Sequence, residues 1–299
     1  MIPQWVWWAI WFWFGSCVGS FLNVCIWRMP REQSVVRPRS RCTHCERQIA
    51  WYDNIPLLSF LWLGARCRHC RAPIAWRYPL VEALTGATTV VVLHRFGDGP
   101  VGWIYVAFAC GLIASSFIDL DFRIIPDEIS VGGLVFGLIG SALVPALHAT
   151  DSRWLSLQRS FAGVLIGGGL LYGTGTVGNL MLFALRRLGI AARRRPFWRH
   201  KLARYRGMRE SMGGGDVKLM AMAGSILGWK PVTLAFFLAP FLALGPGIVT
   251  MLTQRSHYIP YGPFLSLALI AALFFGQQIL AWSGIEDMVK LLWEFYGPR

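Results

Sequence analysis

Residues 101–127 read VGWIYVAFACGLIASSFIDLDFRIIPD, an apolar run that ends in three aspartates. A stretch of roughly 20 apolar residues is long enough to cross the hydrocarbon core of a bilayer as a helix. Asp119 lies deepest in this run, where a carboxyl group is costly and normally faces a cavity or a partner. The stretch therefore predicts a transmembrane helix that carries a functional acid near one end.

The whole chain has the composition of an integral membrane protein. Of its 299 residues, 55% are hydrophobic and 15% are charged, whereas a soluble domain carries about 25% charged residues. Many of the 15 tryptophans lie near the ends of apolar runs, as expected at a membrane–water interface. The runs predict an all-α fold with about eight transmembrane helices, at about 5–27, 79–96, 101–120, 128–147, 161–185, 217–229, 232–253 and 263–283.

The net charge of +14 is concentrated in two segments. Ten of the 29 lysines and arginines lie between Arg28 and Arg77, and ten more lie between Arg186 and Arg209. Basic loops next to apolar spans are typical of the cytoplasmic side of a membrane, and anionic lipid headgroups are their expected partner. A nucleic-acid surface needs no flanking spans, so no nucleic-acid partner is predicted. The pattern predicts an N-terminus outside and both basic segments inside.

Spans and charges together divide the chain into three predicted parts. Residues 1–27 form the first transmembrane helix, residues 28–78 a small cytoplasmic zinc-binding loop domain, and residues 79–299 a polytopic membrane domain with a basic loop at 186–212.

No repeat of 20–50 residues is predicted. Glycines recur between residues 163 and 178, and their predicted role is helix packing, because small residues let helix backbones approach closely in lipid.

Four of the seven cysteines have the spacing of a metal site. They form two C-x2-C pairs separated by 21 residues, with the members Cys42, Cys45, Cys67 and Cys70. Two residues between thiolates allow a tight turn to aim both sulfurs at one tetrahedral zinc ion, and four protein ligands make such a site structural. Disulfides fit poorly in a cytoplasmic loop. His44 and His69 lie inside the pairs and could replace a thiolate as ligands.

A second acidic residue, Asp216, follows three glycines at 213–215 and opens an apolar run. Two facing carboxyls in a partly dry site share a proton, and a water between them can then be activated for hydrolysis. Asp119 and Asp216 are the candidates for such a pair. Asp121 points to another helix face, and Asp127 suits a helix N-cap. Asp216 also has a structural explanation, since a carboxylate is favourable at a helix N-terminus.

At these residues the chain resembles the type IV prepilin peptidases, the GxGD membrane aspartyl proteases of bacterial pilus and type II secretion systems. Six ordered motifs carry the resemblance along nearly the whole chain. They are Gly19-Ser20-Phe21-Leu22-Asn23-Val24 with Arg28 and Pro30, Asn54–Ser59, Arg77–Glu82, Ile118-Asp119 with Ile125–Asp127, Gly213–Lys218, and Ile259–Phe264. One departure is the segment 186–212, which is longer and more arginine-rich than is usual before the GxGD motif.

The resemblance implies a site, substrates and cofactors. Asp119 and Asp216 would be the catalytic pair of an aspartic endopeptidase, and the four cysteines would bind zinc. The substrates would be prepilins and pseudopilins, cut after the glycine that ends a short basic leader, at the cytoplasmic face of the bacterial inner membrane. Many such enzymes also methylate the new N-terminus with S-adenosylmethionine. No glycine-rich dinucleotide-type fingerprint occurs in residues 28–78, so the binding residues for that cofactor are unassigned.

A different functional class is a proton-coupled transporter or secretion-system assembly subunit that uses the buried aspartates as a proton relay. Such a protein is expected to carry polar residues in several mid-spans, preferably in two symmetric halves. Neither feature is present in the sequence. A nucleic-acid module is also disfavoured, because no aromatic residue inside the C-x2-C pairs offers a stacking platform. The endopeptidase is therefore the preferred interpretation.

Overall fold

A computed structural model describes residues 2–191, 213–254 and 260–282 of the chain. Within these ranges every regular element is helical and no β-strand is formed, which confirms the all-α prediction. The α-helices are α1 Gln4–Arg28, α2 Leu58–Trp62, α3 Arg77–Phe96, α4 Pro100–Phe122, α5 Asp127–Leu143, α6 Arg153–Ala191, α7 Gly214–Leu227, α8 Trp229–Gln254 and α9 Gly262–Trp282.

Five helical segments in the described ranges are long and apolar enough to cross a membrane. They are Gln4–Arg31, Pro100–Phe122, Arg153–Ala184, Trp229–Val249 and Gly262–Ile279. The other three predicted spans correspond to helices that are too short or not apolar enough to be counted with these five. α5 has 17 residues and α7 has 14, so both are short for a hydrocarbon core that needs about 20, and α3 contains Glu82, His94 and Arg95. The chain is an integral membrane protein, and the full set of eight spans stays a prediction.

Helix boundaries differ from the predicted ones where a local signal was weak. α6 begins at Arg153, eight residues before the predicted start, because its first turns are too polar to register as an apolar run. α5 ends at Leu143, since Pro145 disfavours the helical conformation of the residue before it. Gly228, with φ +79°, separates α7 from α8 close to the predicted break. The predicted basic loop at 186–212 lies outside the described residues after Ala191.

The chain forms two compact units, and the first comprises Met1–Leu157. Its α1 and α3 pack along glycines on both helices. A Cβ on Gly15 would lie 2.5 Å from Thr89 Oγ1, and a Cβ on Gly86 would lie 2.5 Å from Ser16 Oγ. The same Cβ atoms would also lie 2.9 Å from Gly86 Cα and 2.8 Å from Phe12 O, and these backbone atoms cannot rotate away, so glycine at both positions permits the close approach of the two helices. The packing holds the C-terminal end of α1 beside the N-terminal end of α3.

The second unit, Gln158–Arg299, contains an even closer helix crossing. A Cβ on Gly163 of α6 would lie 2.1 Å from the backbone oxygen of Gly224 of α7, and a Cβ on Gly167 would lie 2.6 Å from Met220 O. These contacts confirm the predicted packing role for part of the glycine series. A Cβ on Gly169 of the same helix would meet nothing within 4 Å, so not every glycine in the series serves packing.

We expect Gly163→Leu to destabilise the protein in detergent, because the obstructing atoms belong to the backbone of α7 and cannot rotate away. Overpacking costs about 1–3 kcal/mol, so the melting temperature should fall by roughly 5–10 °C. The matched control is Gly169→Leu in the same helix, where the added side chain meets open space. Equal melting temperatures for the two variants would contradict the packing role.

Candidate metal centre and candidate active site

The four predicted cysteine ligands lie together in the first unit. Their Sγ atoms are all within 4.8 Å of one another, and Cys42 Sγ lies 3.8 Å from Cys70 Sγ. Tetrahedral zinc with Zn–S bonds of about 2.3 Å holds its sulfurs about 3.8 Å apart, so the donor set and spacing fit zinc. Neither histidine belongs to this cluster, and His69 Nδ1 instead lies 3.4 Å from Arg47 Nη1. The four-cysteine cluster could therefore bind a metal ion without histidine.

The two C-x2-C pairs lie in two loops with the same backbone structure, here called the knuckles (residues 41–51 and 66–76). In each knuckle the N–H of the first cysteine donates at 2.9 Å across the turn, from Cys42 to Arg47 O and from Cys67 to Ala72 O. The sequences RCTHCERQIAW and RCRHCRAPIAW match at seven of eleven positions with an offset of 25 residues. The prediction of no repeat of 20–50 residues therefore missed this similarity, in which an eleven-residue segment recurs at an interval of 25 residues.

Backbone amides inside the second knuckle favour the thiolate form. The N–H groups of Cys70 and His69 lower the pKa of Cys67 to about 7. The N–H of Ala72 acts to lower the pKa of Cys70, but desolvation and the neighbouring thiols outweigh it and raise that pKa to about 11. Thiolate is the form that binds metal, and metal binding releases the remaining thiol protons. The arrangement gives an incoming cation one readily ionised sulfur.

A cavity of about 990 Å³ lies between the knuckles and the adjoining ends of α1 and α3. Glu82 lines it, is only 8% exposed, and accepts a hydrogen bond of 2.8 Å from Leu57 N–H. Asn23 also lines it and donates from Nδ2 to Tyr78 O at 3.1 Å. The buried Oδ1 of Asn23 has no hydrogen-bond partner in the described part of the chain. The cavity wall thus combines a buried carboxyl group with an unused acceptor.

Sequence reasoning assigned no role to Glu82 or Asn23. Both belong to the motifs that carry the family resemblance, and neither has the spacing of a recognisable site. Their shared cavity depends on the packing of α1 on α3, which brings together residues 59 positions apart in sequence. The available signal was an acidic residue inside an apolar run, the same signal that identified Asp119.

The three aspartates at the end of α4 and the start of α5 have different environments. Asp119 is 7% exposed, and its backbone oxygen accepts a hydrogen bond of 2.9 Å from Arg123 N–H. Asp121 and Asp127 are exposed. Pro126 occupies the N-cap expected for Asp127, which is instead the first residue of α5. Asp119 is thus the buried member of the group, as its position in the sequence predicts.

Asp216 lies in the second unit, in the first turn of α7, and is half-buried. Its Oδ2 is 3.4 Å from the position of a Cβ on Gly213, so a side chain there would crowd the carboxyl group. Burial and, secondly, the charge of Asp216 raise the pKa of Tyr261 to about 12. Tyr261 is therefore a neighbour of Asp216 that sequence reasoning did not single out. Asp119 belongs to the other unit, and the meeting of the two carboxyl groups stays a prediction.

Comparison with known proteins gives a consistent family. The model for the Bacterial Peptidase A24 N-terminal domain matches residues 13–96, and the model for the Type IV leader peptidase family matches residues 106–248. No solved structure matches the chain.

Several curated relatives match over most of their length. A Prepilin leader peptidase/N-methyltransferase of Aeromonas hydrophila is 33% identical over 93% of this chain and 94% of its own. A protein of the same name from Myxococcus xanthus is 38% identical over 80% of this chain and 61% of its own. The Type 4 prepilin-like proteins leader peptide-processing enzyme of Escherichia coli O78:H11 is 34% identical over 87% of this chain and 91% of its own length. With this identity over nearly its full length, the chain belongs to the type IV leader peptidase family.

Proposed function

We propose that this chain is a membrane-embedded aspartic endopeptidase that removes the leader peptide of type IV prepilins and pseudopilins and then methylates the new N-terminus. The names of its relatives support both activities. The observation that carries the peptidase assignment is the burial of Asp119 at the end of an apolar helix, next to two exposed aspartates. No observation favours the proton-coupled transporter.

Asp119 and Asp216 act as a pair that shares one proton. The ionised carboxylate accepts a proton from water as the water oxygen attacks the scissile carbonyl carbon, while the protonated partner donates to the carbonyl oxygen. The C–N bond then breaks, and the leaving amine takes up a proton. Glycines 213–215 let an extended substrate approach Asp216. Tyr261 remains protonated at neutral pH and is available as a hydrogen-bond donor beside Asp216.

The reaction takes place at the cytoplasmic face of the bacterial inner membrane. The two basic segments support this orientation, since cytoplasmic loops are rich in lysine and arginine and contact anionic lipids. In this topology the chain crosses the membrane eight times, residues 28–78 form a cytoplasmic domain, and residues 79–299 form the protease domain. The substrate presents a basic leader ending in glycine, followed by an apolar helix that enters the bilayer.

The cysteine cluster holds a structural zinc ion. The spacing of the four sulfurs supports this assignment, and four protein ligands leave no open position for catalysis. A loop domain of about fifty residues has only a small hydrophobic core, so a bound zinc ion contributes much of its folding free energy.

The cavity beside the knuckles is where we place methyl transfer. S-adenosylmethionine, when bound, supplies the methyl group. Glu82 accepts the proton of the substrate's N-terminal amine. The unused Oδ1 of Asn23 accepts a hydrogen bond from S-adenosylmethionine or from the substrate. Arg77 also lines the cavity and pairs with Asp121, two residues from Asp119. A cut made beside Asp119 would therefore leave the new N-terminus near the cavity.

One assay tests both activities. Purified protein is incubated with a precursor whose first mature residue is phenylalanine and with methyl-labelled S-adenosylmethionine, and both cleavage and label are measured. We expect the wild type to cut after the leader glycine and to transfer label. Glu82→Gln should cut at nearly the normal rate but transfer label about 100-fold more slowly, because it lacks the base.

The matched control is Glu128→Gln, which changes an exposed carboxyl group in the first turn of α5. Each outcome addresses one part of the proposal. An uncut precursor would contradict the peptidase, and cleavage without label in the wild type would contradict the transferase. Transfer of label at the wild-type rate by the Glu82→Gln variant would show that Glu82 is not the base for methyl transfer.

A further inference from the structure

Two arginines hold the last turn of α4, residues Asp119–Phe122, from outside the helix. The guanidinium of Arg77 donates to the carboxylate of Asp121. The guanidinium of Arg31 lies 4.8 Å from the centroid of the Phe122 ring. We call Arg31 and Arg77 the α4 clamp.

Each arginine of the α4 clamp is attached to a neighbouring element. Arg31 donates from Nη1 to Trp27 O at 2.6 Å, and its guanidinium lies 3.7 Å from the Trp27 ring centroid. Arg77 is the first residue of α3 and follows directly on the second knuckle. The clamp thus joins the last turn of α4 to the end of α1 on one side and to the knuckles on the other.

The charges of the Arg77–Asp121 pair lie at helix ends that disfavour them. The N-terminus of a helix favours anions and the C-terminus favours cations, yet Arg77 begins α3 and Asp121 lies in the last turn of α4. Helix stability therefore does not account for either charge. An ion pair this exposed also contributes little to folding. What the pair does achieve is a fixed position for the turn that carries Asp119.

We infer that Arg77 and Arg31 are positioning residues for Asp119, an inference that rests on the proposed catalytic role of Asp119. The terminal turn of a helix frays readily. A catalytic group misplaced by about 1 Å can lose about 100-fold in rate. Contacts on Asp121 and Phe122 restrain the turn immediately after Asp119 and so restrain the direction of the Asp119 side chain.

The test compares kcat and KM for precursor cleavage in Arg77→Gln, Asp121→Asn, Arg31→Leu and the double variant Arg77→Asp/Asp121→Arg. Each single substitution should lower kcat about tenfold to a hundredfold while KM and the melting temperature change little. The double variant restores the pair with reversed charges, each now at a helix end that favours it. We expect its kcat to return to within about threefold of the wild type.

The control is Arg71→Gln, which removes an exposed cation from the second knuckle, six residues before Arg77. Unchanged kcat in Arg77→Gln would overturn the inference. A loss of kcat that follows the melting temperature, and that the double variant does not restore, would show a merely structural role. Failure of the proposed function is distinguishable, because the wild type itself would then leave the precursor uncut.

Discussion

Replacing either Asp119 or Asp216 by asparagine will abolish cleavage of a prepilin leader. Asparagine keeps the shape of the side chain but neither shares a proton nor accepts one from water. Loss of general acid–base catalysis costs about 10²- to 10⁴-fold, and loss of the pair removes both the acid and the base. The initial rate of cleavage, measured on purified protein in detergent, should fall to the background of the precursor alone.

Two further variants make this prediction specific. The double variant Asp119→Asn/Asp216→Asn should be no slower than either single variant, because residues that act as one unit are not additive. Asp127→Asn should cut within about threefold of the wild-type rate, since Asp127 is exposed at the start of α5 and this change perturbs only a helix terminus. Membrane insertion should be the same in all variants. Retained cleavage in either single variant would remove that aspartate from the pair.

Replacing Cys42 and Cys45 together by serine will release the metal and disorder the knuckles. The wild type should hold about one zinc per chain, because four sulfurs within 4.8 Å complete a tetrahedral site. Two thiolates alone bind far more weakly, and binding free energy at such sites is folding free energy. We expect zinc content, measured by atomic emission, to fall to near zero, together with the melting temperature.

The same double variant should also lose methyl transfer and slow peptide cleavage. The cavity wall includes knuckle residues, and Arg77 follows directly on the second knuckle. Cys17→Ala is the control, because Cys17 lies in α1, outside the cluster. A full equivalent of zinc bound to the Cys42→Ser/Cys45→Ser protein would contradict the site.

The apolar runs predicted helices well because burial in lipid leaves a strong local signal. All eight predicted spans coincide with helices of the described structure, although only five satisfy the limits of length and hydropathy. The same local signal separated Asp119 from its exposed neighbours Asp121 and Asp127. The cysteine spacing predicted a cluster because a tight turn fixes the distance between two sulfurs.

Long-range contacts could not be predicted in this way. The Arg77–Asp121 pair joins residues 44 positions apart, and the bond from Leu57 N–H to Glu82 spans 25 positions. Both depend on how α3 packs on its neighbours, which no local pattern encodes. Likewise, the sequence contains a series of glycines in α6 but does not indicate which of them contacts α7. Gly163 and Gly169 differ only in their neighbours in the folded protein, where Gly163 contacts Gly224 and a Cβ on Gly169 would meet nothing within 4 Å.

The repeated knuckle has a consequence for the ancestry of the loop. Each copy contributes two of the four sulfurs, so a shell of four thiolates needs both copies, or one copy from each of two chains. Seven identities in eleven positions point to duplication of one ancestral segment. The present loop therefore carries both halves of the cysteine site on one polypeptide. The two halves come together by closure of a single chain, without the association of two molecules.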